Sequence, residues 1–334
     1  METRATWGDG WIKGLAAKFA EVENQATMSY SLGIDSALGI ETNSATRLFK
    51  EKTSDKAEER YTSKSGVGYP ALTTEGQDYA TDSRIPGYLT VFRFIKKTNS
   101  VEITEEEKDD RDNDLSDKFN EAYDLNVSMN MEFDRSAFSI FNYAFTAQAS
   151  LPADLTFYSD GKPLCSILHP RKDGGTGISN ASASGIPLTE VNLGTGRQAL
   201  RRQLDDRGLP MAIGSGRLIL LIPDSLEQTA QIITKSTKRP STANNDLNIY
   251  DGFVTVISTK WINSQNGGSD TAWFLIDSLY SPFIFYKRRG IQTSVYVDNK
   301  NKNTIYDISA RWQVGNKSWR GVWGSAGDNA TYAL

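Results

Sequence analysis

The sequence predicts an α+β fold hung on one unusually long helix, and three observations carry that expectation. Apolar residues recur at helical spacing, with no proline, from Asp112 to Gln148. Short strand-like segments flank that stretch on both sides. Ahead of it, Arg60–Ser83 holds Gly66, Gly68, Pro70 and Gly76 among polar residues and has too little apolar material to bury a face of its own.

The bulk numbers set the frame. The 334 residues suffice for two ordinary domains or one elaborated one. With 38% hydrophobic and 23% charged residues, the chain can bury a core. A formal net charge of -4 gains nothing from neutralising phosphates, which argues against a dedicated nucleic-acid binder. Such a balance suits a container that must not stick to enclosed nucleic acid, without singling one out. Cys165 is the sole cysteine, so no internal disulfide framework or multi-cysteine zinc site can form; the residue reads as a small buried apolar group. Met1–Asp9 carries Glu2, Arg4 and Asp9 and no signal-peptide core. The densest apolar run, Leu218–Pro223, falls far short of the roughly 18 residues a membrane span needs. A soluble protein made in a cytoplasm is therefore expected, with no membrane partner.

Histidine poverty is the sharpest negative. The one histidine, His169, sits in Leu168-His-Pro, with no Gly-x-Ser-x-Gly elbow or His-Glu-x-x-His motif anywhere. Gly174-Gly175-Thr176-Gly177 lacks the lysine of a phosphate loop and reads as a plain loop. Carboxylate-pair hydrolysis is the residual enzymatic reading, because such pairing is spatial. No catalytic, metal or cofactor residue is singled out, and the expectation is no enzyme and no cofactor.

In chain order, Trp7, Trp11, Leu15 and Phe19 form one stripe of a short amphipathic helix. It docks either on the chain's own core or under a neighbouring copy. Met28–Lys52 is irregular and suits an extended arm, so residues 1–52 are taken as an arm. Residues 53–104 are taken as an extended β-hairpin loop, with Tyr88–Ile95 alternating as a strand and Ser100–Thr104 continuing it. The acidic run Glu105–Asp114 favours the positive end of a following helix and lacks the glycine and terminal glutamate of a calcium loop.

Leu115, Phe119, Tyr123, Val127 and Met131 then step by four, and Phe138, Phe141 and Phe145 continue the helix. A helix over 112–147 would be about 50 Å long. Beyond Pro152, Leu155–Tyr158 and Leu164–Leu168 are strand-like, and Arg197–Asp206 reads as a helix stopped by Gly208. Arg217–Ile222 is a buried strand, and Pro223 opens a helix carrying Leu226, Ala230 and Ile233. Further strands are expected at Phe253–Ser258, Thr271–Asp277, Phe283–Tyr286, Ile305–Gln313 and Trp319–Trp323.

An arm, a long polar hairpin, an acid-fronted helix and an α/β body, in that order, resemble the Hong Kong 97-type capsid fold of tailed-phage head proteins. The resemblance is most specific over 197–325: Gln198-Ala-Leu-Arg-Arg-Gln-Leu, Leu218–Leu226, Trp273–Asp277 with Pro282–Tyr286, and Ile308–Gln313 with Trp319–Ser325. These segments look like the Mu-like major head subunits. The resemblance implies a peripheral domain, 105–210 plus 285–334, and an axial domain, 211–284. It also implies a major capsid protein of a virion, assembled in the host cytoplasm, whose hexamers and pentamers close an icosahedral shell around double-stranded DNA. Candidate contacts between copies are Trp7, Trp11, Arg60, Tyr61, Lys64, Tyr69, Arg84 and Tyr88. Only about 50 residues precede the loop, so any scaffold is expected to be a separate protein, beside portal and decoration proteins. Some relatives crosslink a loop lysine to an asparagine of the next subunit; Lys64 lies in the corresponding loop, but nothing singles it out for that chemistry. An encapsulin-like nanocompartment and another phage structural protein of the tail or decoration type are the alternatives.

Overall fold

The structure is a computed structural model and describes residues 48–109, 115–236 and 248–328. The expected helix around Trp7 and Trp11, and nearly all of the expected arm, lie outside the described residues.

The arm's last residues form β1 (Lys50–Thr53), and β2 (Glu58–Lys64) pairs antiparallel with β3 (Pro86–Arg93) as the two-stranded base of the hairpin. After one break at Phe94, β4 (Ile95–Ile103) leaves β2 and pairs with a different sheet. The alternation that reads as one strand from Tyr88 through Thr104 is thus two strands with two partners. Phe92 and Phe94 both lie buried against Tyr286, so the apolar pattern runs on smoothly while the pairing changes.

The acidic run begins α1 (Glu105–Asp109), closed by a reciprocal cap. The Glu107 backbone N–H donates to Thr104 Oγ1 at 3.2 Å, and the Thr104 N–H donates to the Glu107 carboxylate at 3.0 Å. The long helix α2 (Leu115–Asn142) has 28 residues, about 42 Å. It ends five residues before the expected end. The Ala144 carbonyl accepts from the Cys165 N–H at 2.8 Å instead of from a later helical residue, and Asn142 Nδ2 donates to the Trp261 carbonyl at 2.9 Å. β5 (Leu155–Thr156) follows.

Leu164–Leu168 makes no strand. Its backbone is tied down largely by one side chain: Asn180 Oδ1 accepts from the Ser166 N–H and Asn180 Nδ2 donates to the Leu164 carbonyl, both at 2.8 Å. Helix α3 (Glu190–Arg201) starts seven residues before the expected position, capped by Thr189 Oγ1, and stops before Leu204. Gly194 and Gly196 hide this start from propensity, yet a side chain at Gly196 would meet the Trp323 ring at 2.8 Å. β6 (Leu218–Pro223) is buried at every position, and α4 (Glu227–Lys235) follows it with Ala230 and Ile233 buried.

β7 (Val254–Thr259), β8 (Trp273–Asp277), β9 (Phe283–Val297), β10 (Thr304–Asn316) and β11 (Val322–Ser325) complete the chain. β9 runs eleven residues beyond its expected end. Its first four positions are buried, and the rest alternates with Ile291 and Val295 packed against the core. The basic residues Lys287–Arg289 mask that alternation. Trp319 precedes β11 as a buried residue outside it.

The larger sheet has strand order β1-β9-β10-β4, with β5 parallel to the end of β10; the other is β11-β8-β6-β7. Helix α2 lies across both. Phe133 packs on Trp312 and Phe285 at centroid distances of 4.5 and 5.8 Å, and Phe141 packs on Phe283 and Phe274 at 4.8 and 5.1 Å. A second core, with Leu193, Leu200, Trp273 and Trp323, joins α3 to the smaller sheet.

Candidate assembly surfaces

The hairpin is fixed at its base. Phe92 is fully buried, Ser63 Oγ and the Tyr158 hydroxyl share a 2.6 Å hydrogen bond, and Tyr88 meets Tyr158 edge-on at 5.6 Å. Lys172 Nζ stands 3.8 Å over the Tyr88 ring, and the Ser159 N–H donates to the buried Thr90 hydroxyl. Arg207 holds Asp82 through two hydrogen bonds, one at 2.8 Å. These bonds, with the Gly68 N–H, hold the Asp82 carboxyl at about 2.

Beyond the Ser65/Ile85 closure the excursion is bare. Leu72 is 97% exposed, Tyr79 91% and Tyr69 74%. The chain reverses at Glu75–Gly76, where Gly76 supplies a φ of +83° and the Gln77 N–H donates to the Thr74 carbonyl. Residues 66–83 carry Glu75, Asp78 and Asp82 and no basic side chain. The tip thus combines exposed large apolar groups with little internal bonding among the described residues.

Beside the base lies a cavity of about 690 Å³, walled by β1, the root of β2, the Asp205–Ala212 loop and the Tyr280–Pro282 turn. It gathers five basic residues, Lys50, Lys52, Lys64, Lys317 and Arg320, against Asp205 and Asp206. Both acids are engaged: Asp206 pairs with Arg320 at 2.9 Å, and Asp205 accepts the Arg207 and Leu209 N–H groups. Among the described residues, none of the four lysines makes an ion pair. Lys317, over the Tyr61 ring at 4.6 Å, has its pKa lowered by burial and then by Lys52, with Lys50 adding to it against Glu59.

The expected contact residues divide accordingly. Lys64, Tyr69 and Arg84 face solvent. Tyr61 and Tyr88 are engaged within the chain, as is Arg60, whose guanidinium pairs with Glu58. Trp7 and Trp11 lie outside the described residues. Sequence reading missed the lysine cleft, because its members come from residues 50 to 320 and only the fold collects them; the Lys50-x-Lys52 alternation was its one local sign.

His169 is a structural residue. It is buried, its Nδ1 lies 2.6 Å from the Asp160 carboxylate and its Nε2 3.0 Å from Asn180 Oδ1, and its ring stacks on Trp319 at 4.2 Å. Cys165 is buried as expected, its thiol pKa pushed up by desolvation. No helix among the described residues is long and apolar enough to cross a membrane.

The profile of the phage capsid protein family matches residues 88–325, well over half the chain and every strand from β3 to β11. This chain belongs to the phage capsid protein family. It is a major capsid protein, a subunit of a viral shell, and its family is one of structural proteins. Solved structures agree on the fold. The bacteriophage PhiM1 mature capsid subunit matches with a TM-score of 0.51 at 14% identity over 83% of both chains. The capsid of the native GTA particle matches with 0.50 at 9% identity, over 84% of this chain and 89% of that one. The cyanophage P-SCSP1u capsid matches with 0.50 at 10% identity, over 83% and 85%. The capsid protein therefore has the Hong Kong 97-type fold, and the nanocompartment alternative is not favoured. Comparison by sequence with curated proteins finds no match.

Proposed function

We propose that this capsid protein closes an icosahedral head of a tailed phage as hexamers and pentamers around double-stranded DNA, with the hairpin reaching over the neighbouring copy. The observation that carries the reading is the hairpin itself: a base packed into the body and a 66–83 tip with Tyr69, Leu72 and Tyr79 in solvent. An arm at 1–52, a loop at 53–104, a peripheral domain of 105–210 with 285–334 and an axial domain of 211–284 are the corresponding division. The likeness of 197–325 to Mu-like head subunits belongs to the same proposal, as do a separate scaffold, a portal and decoration proteins, and assembly in the host cytoplasm. The contacts are individually modest after ordering costs and become effectively irreversible when repeated around a closed shell.

The deletion that tests this reading is narrower than the whole hairpin, because β2 and β3 serve the chain's own core. Replacing residues 67–83 by a short Gly-Ser turn should leave a folded subunit with a nearly unchanged unfolding midpoint, since the body loses only the bonds of Arg207 to the Asp82 carboxylate and the Ser83 carbonyl. Negative-stain electron microscopy should then show no closed shells. Normal shells from that deletion would overturn the role given to the hairpin.

A further inference from the structure

The lysine cleft and the hairpin tip are opposite in charge, alike in carrying exposed apolar surface, and both uncovered by the described residues. We propose that the cleft of one copy receives the hairpin tip of the next, with Glu75 and Asp78 set against Lys50, Lys52 and Lys317, and Leu72 and Tyr79 laid on the Leu209–Met211 wall. The proposal rests on the hairpin being an intersubunit loop, and adds where on the neighbour it lands and by what chemistry.

Charge decides the match first. Arg320 is paired with Asp206, which leaves four lysines against Asp205 and, at Lys317, Glu59, so the cleft keeps a net positive charge on a chain whose net charge is -4. Copies of such a chain repel in general, and a local pairing of opposite patches then fixes which surfaces meet. Within the tip, Asp82 is committed to Arg207, which leaves Glu75 and Asp78 free, one at the turn and one just past it. Charge alone would also suit a nucleic-acid phosphate. The cleft is not purely cationic, however: Leu209, Pro210, Met211 and Tyr280 line it, and an acidic turn flanked by Leu72 and Tyr79 covers such a wall where a phosphodiester chain does not.

Topology supplies the second argument. The cleft includes Lys64, Ser65 and Gly66 at the hairpin's own root, yet its own tip does not fold back into it, since Leu72 is almost fully exposed. Donor and acceptor are therefore different surfaces of one chain. Such a contact is head-to-tail, and it closes a ring where its rotation divides a full turn, as five- and six-fold rings require.

The full-length chain, under conditions in which it forms shells, gives the test. Lys50→Glu with Lys52→Glu, and separately Glu75→Lys with Asp78→Lys, should each lower the yield of closed shells by about tenfold or more, because a weakened contact is compounded around a ring. All four changes together should recover most of the yield. Normal shells from either pair, no recovery on combination, or loss only of packaged nucleic acid from intact shells would overturn the proposal. If the 67–83 replacement blocks shells while the charge pairs do not, the cleft assignment falls and the hairpin reading stands. If that replacement also leaves shells intact, the hairpin reading itself falls. A second probe does not depend on the lysine-to-glutamate chains folding: Lys52→Cys with Glu75→Cys, oxidised in assembled material, should give a ladder of covalent oligomers, with the buried Cys165 silent. Monomer alone would count against the contact.

Discussion

The smaller sheet and the hairpin tip are built on opposite terms. In β6 and β8 every residue is buried, and Trp273 is covered by Trp323 on one side while its indole N–H donates to the Ile186 carbonyl at 2.8 Å. In the tip, Leu72 and Tyr79 touch almost none of the described residues. The first region saturates its surface and so fixes itself. The second leaves its surface unsaturated among the described residues, which is what the proposed contact with another copy would use. A subunit that must be stable before assembly and adhesive during it separates the two tasks in space.

Substitutions that move stability and assembly in opposite proportion sharpen that contrast. The largest stability loss is expected for Trp273→Ala, about 3–5 kcal/mol in denaturant unfolding, because the cavity cannot collapse between two layers. Next comes His169→Ala, which strands the Asp160 carboxylate in a buried site; about 3 kcal/mol is expected, and a smaller loss would show that water reaches the pair.

Asp134 on α2 follows. Burial raises its pKa to about 7, partly opposed by Lys260, from an ordinary 3.8. Between those values the folded chain holds a proton that the unfolded chain has lost, so stability falls as pH rises from about 4 to about 7 and stays low above. Asp134→Asn should therefore stabilise at pH 8 and make little difference near pH 4; equal effects at both would refute the assignment. Smallest in stability is Leu72→Ser, within about 0.5 kcal/mol of the parent. Its effect on shell yield should nonetheless exceed its effect on folding, and a normal yield would blur the distinction between the regions.

The same contrast governs what the sequence discloses. β6 is legible because burial on both faces leaves an unbroken Leu-Ile-Leu-Leu-Ile run, and α2 because its apolar steps of four persist for many turns. Elements whose backbone or register is decided by distant groups are not. Leu164–Leu168 looks like a strand until Asn180 takes its hydrogen bonds, and the switch of partner at Phe94 leaves no mark in an alternating pattern. Helix α3 was obscured by glycines that only Trp323 explains. Among the assembly surfaces, the hairpin was visible as polar chain without a face to bury, whereas the cleft exists only once residues 50, 211, 280 and 317 are brought together.

The junction at Phe94 also decides how load travels. A pull on the hairpin tip passes through β3 directly into β4, which runs antiparallel to β10 over nine residue pairs from Ile95 to Ile103. That ladder is loaded along its length, in shear, so its hydrogen bonds resist together and do not peel one at a time. Lys97 pins the strand further, to Glu132 of α2 and to Asp154. If the hairpin engages a neighbour as proposed, tension between copies is delivered to the larger sheet and to helix α2, a strain path that would stiffen the wall where one copy hangs on the next.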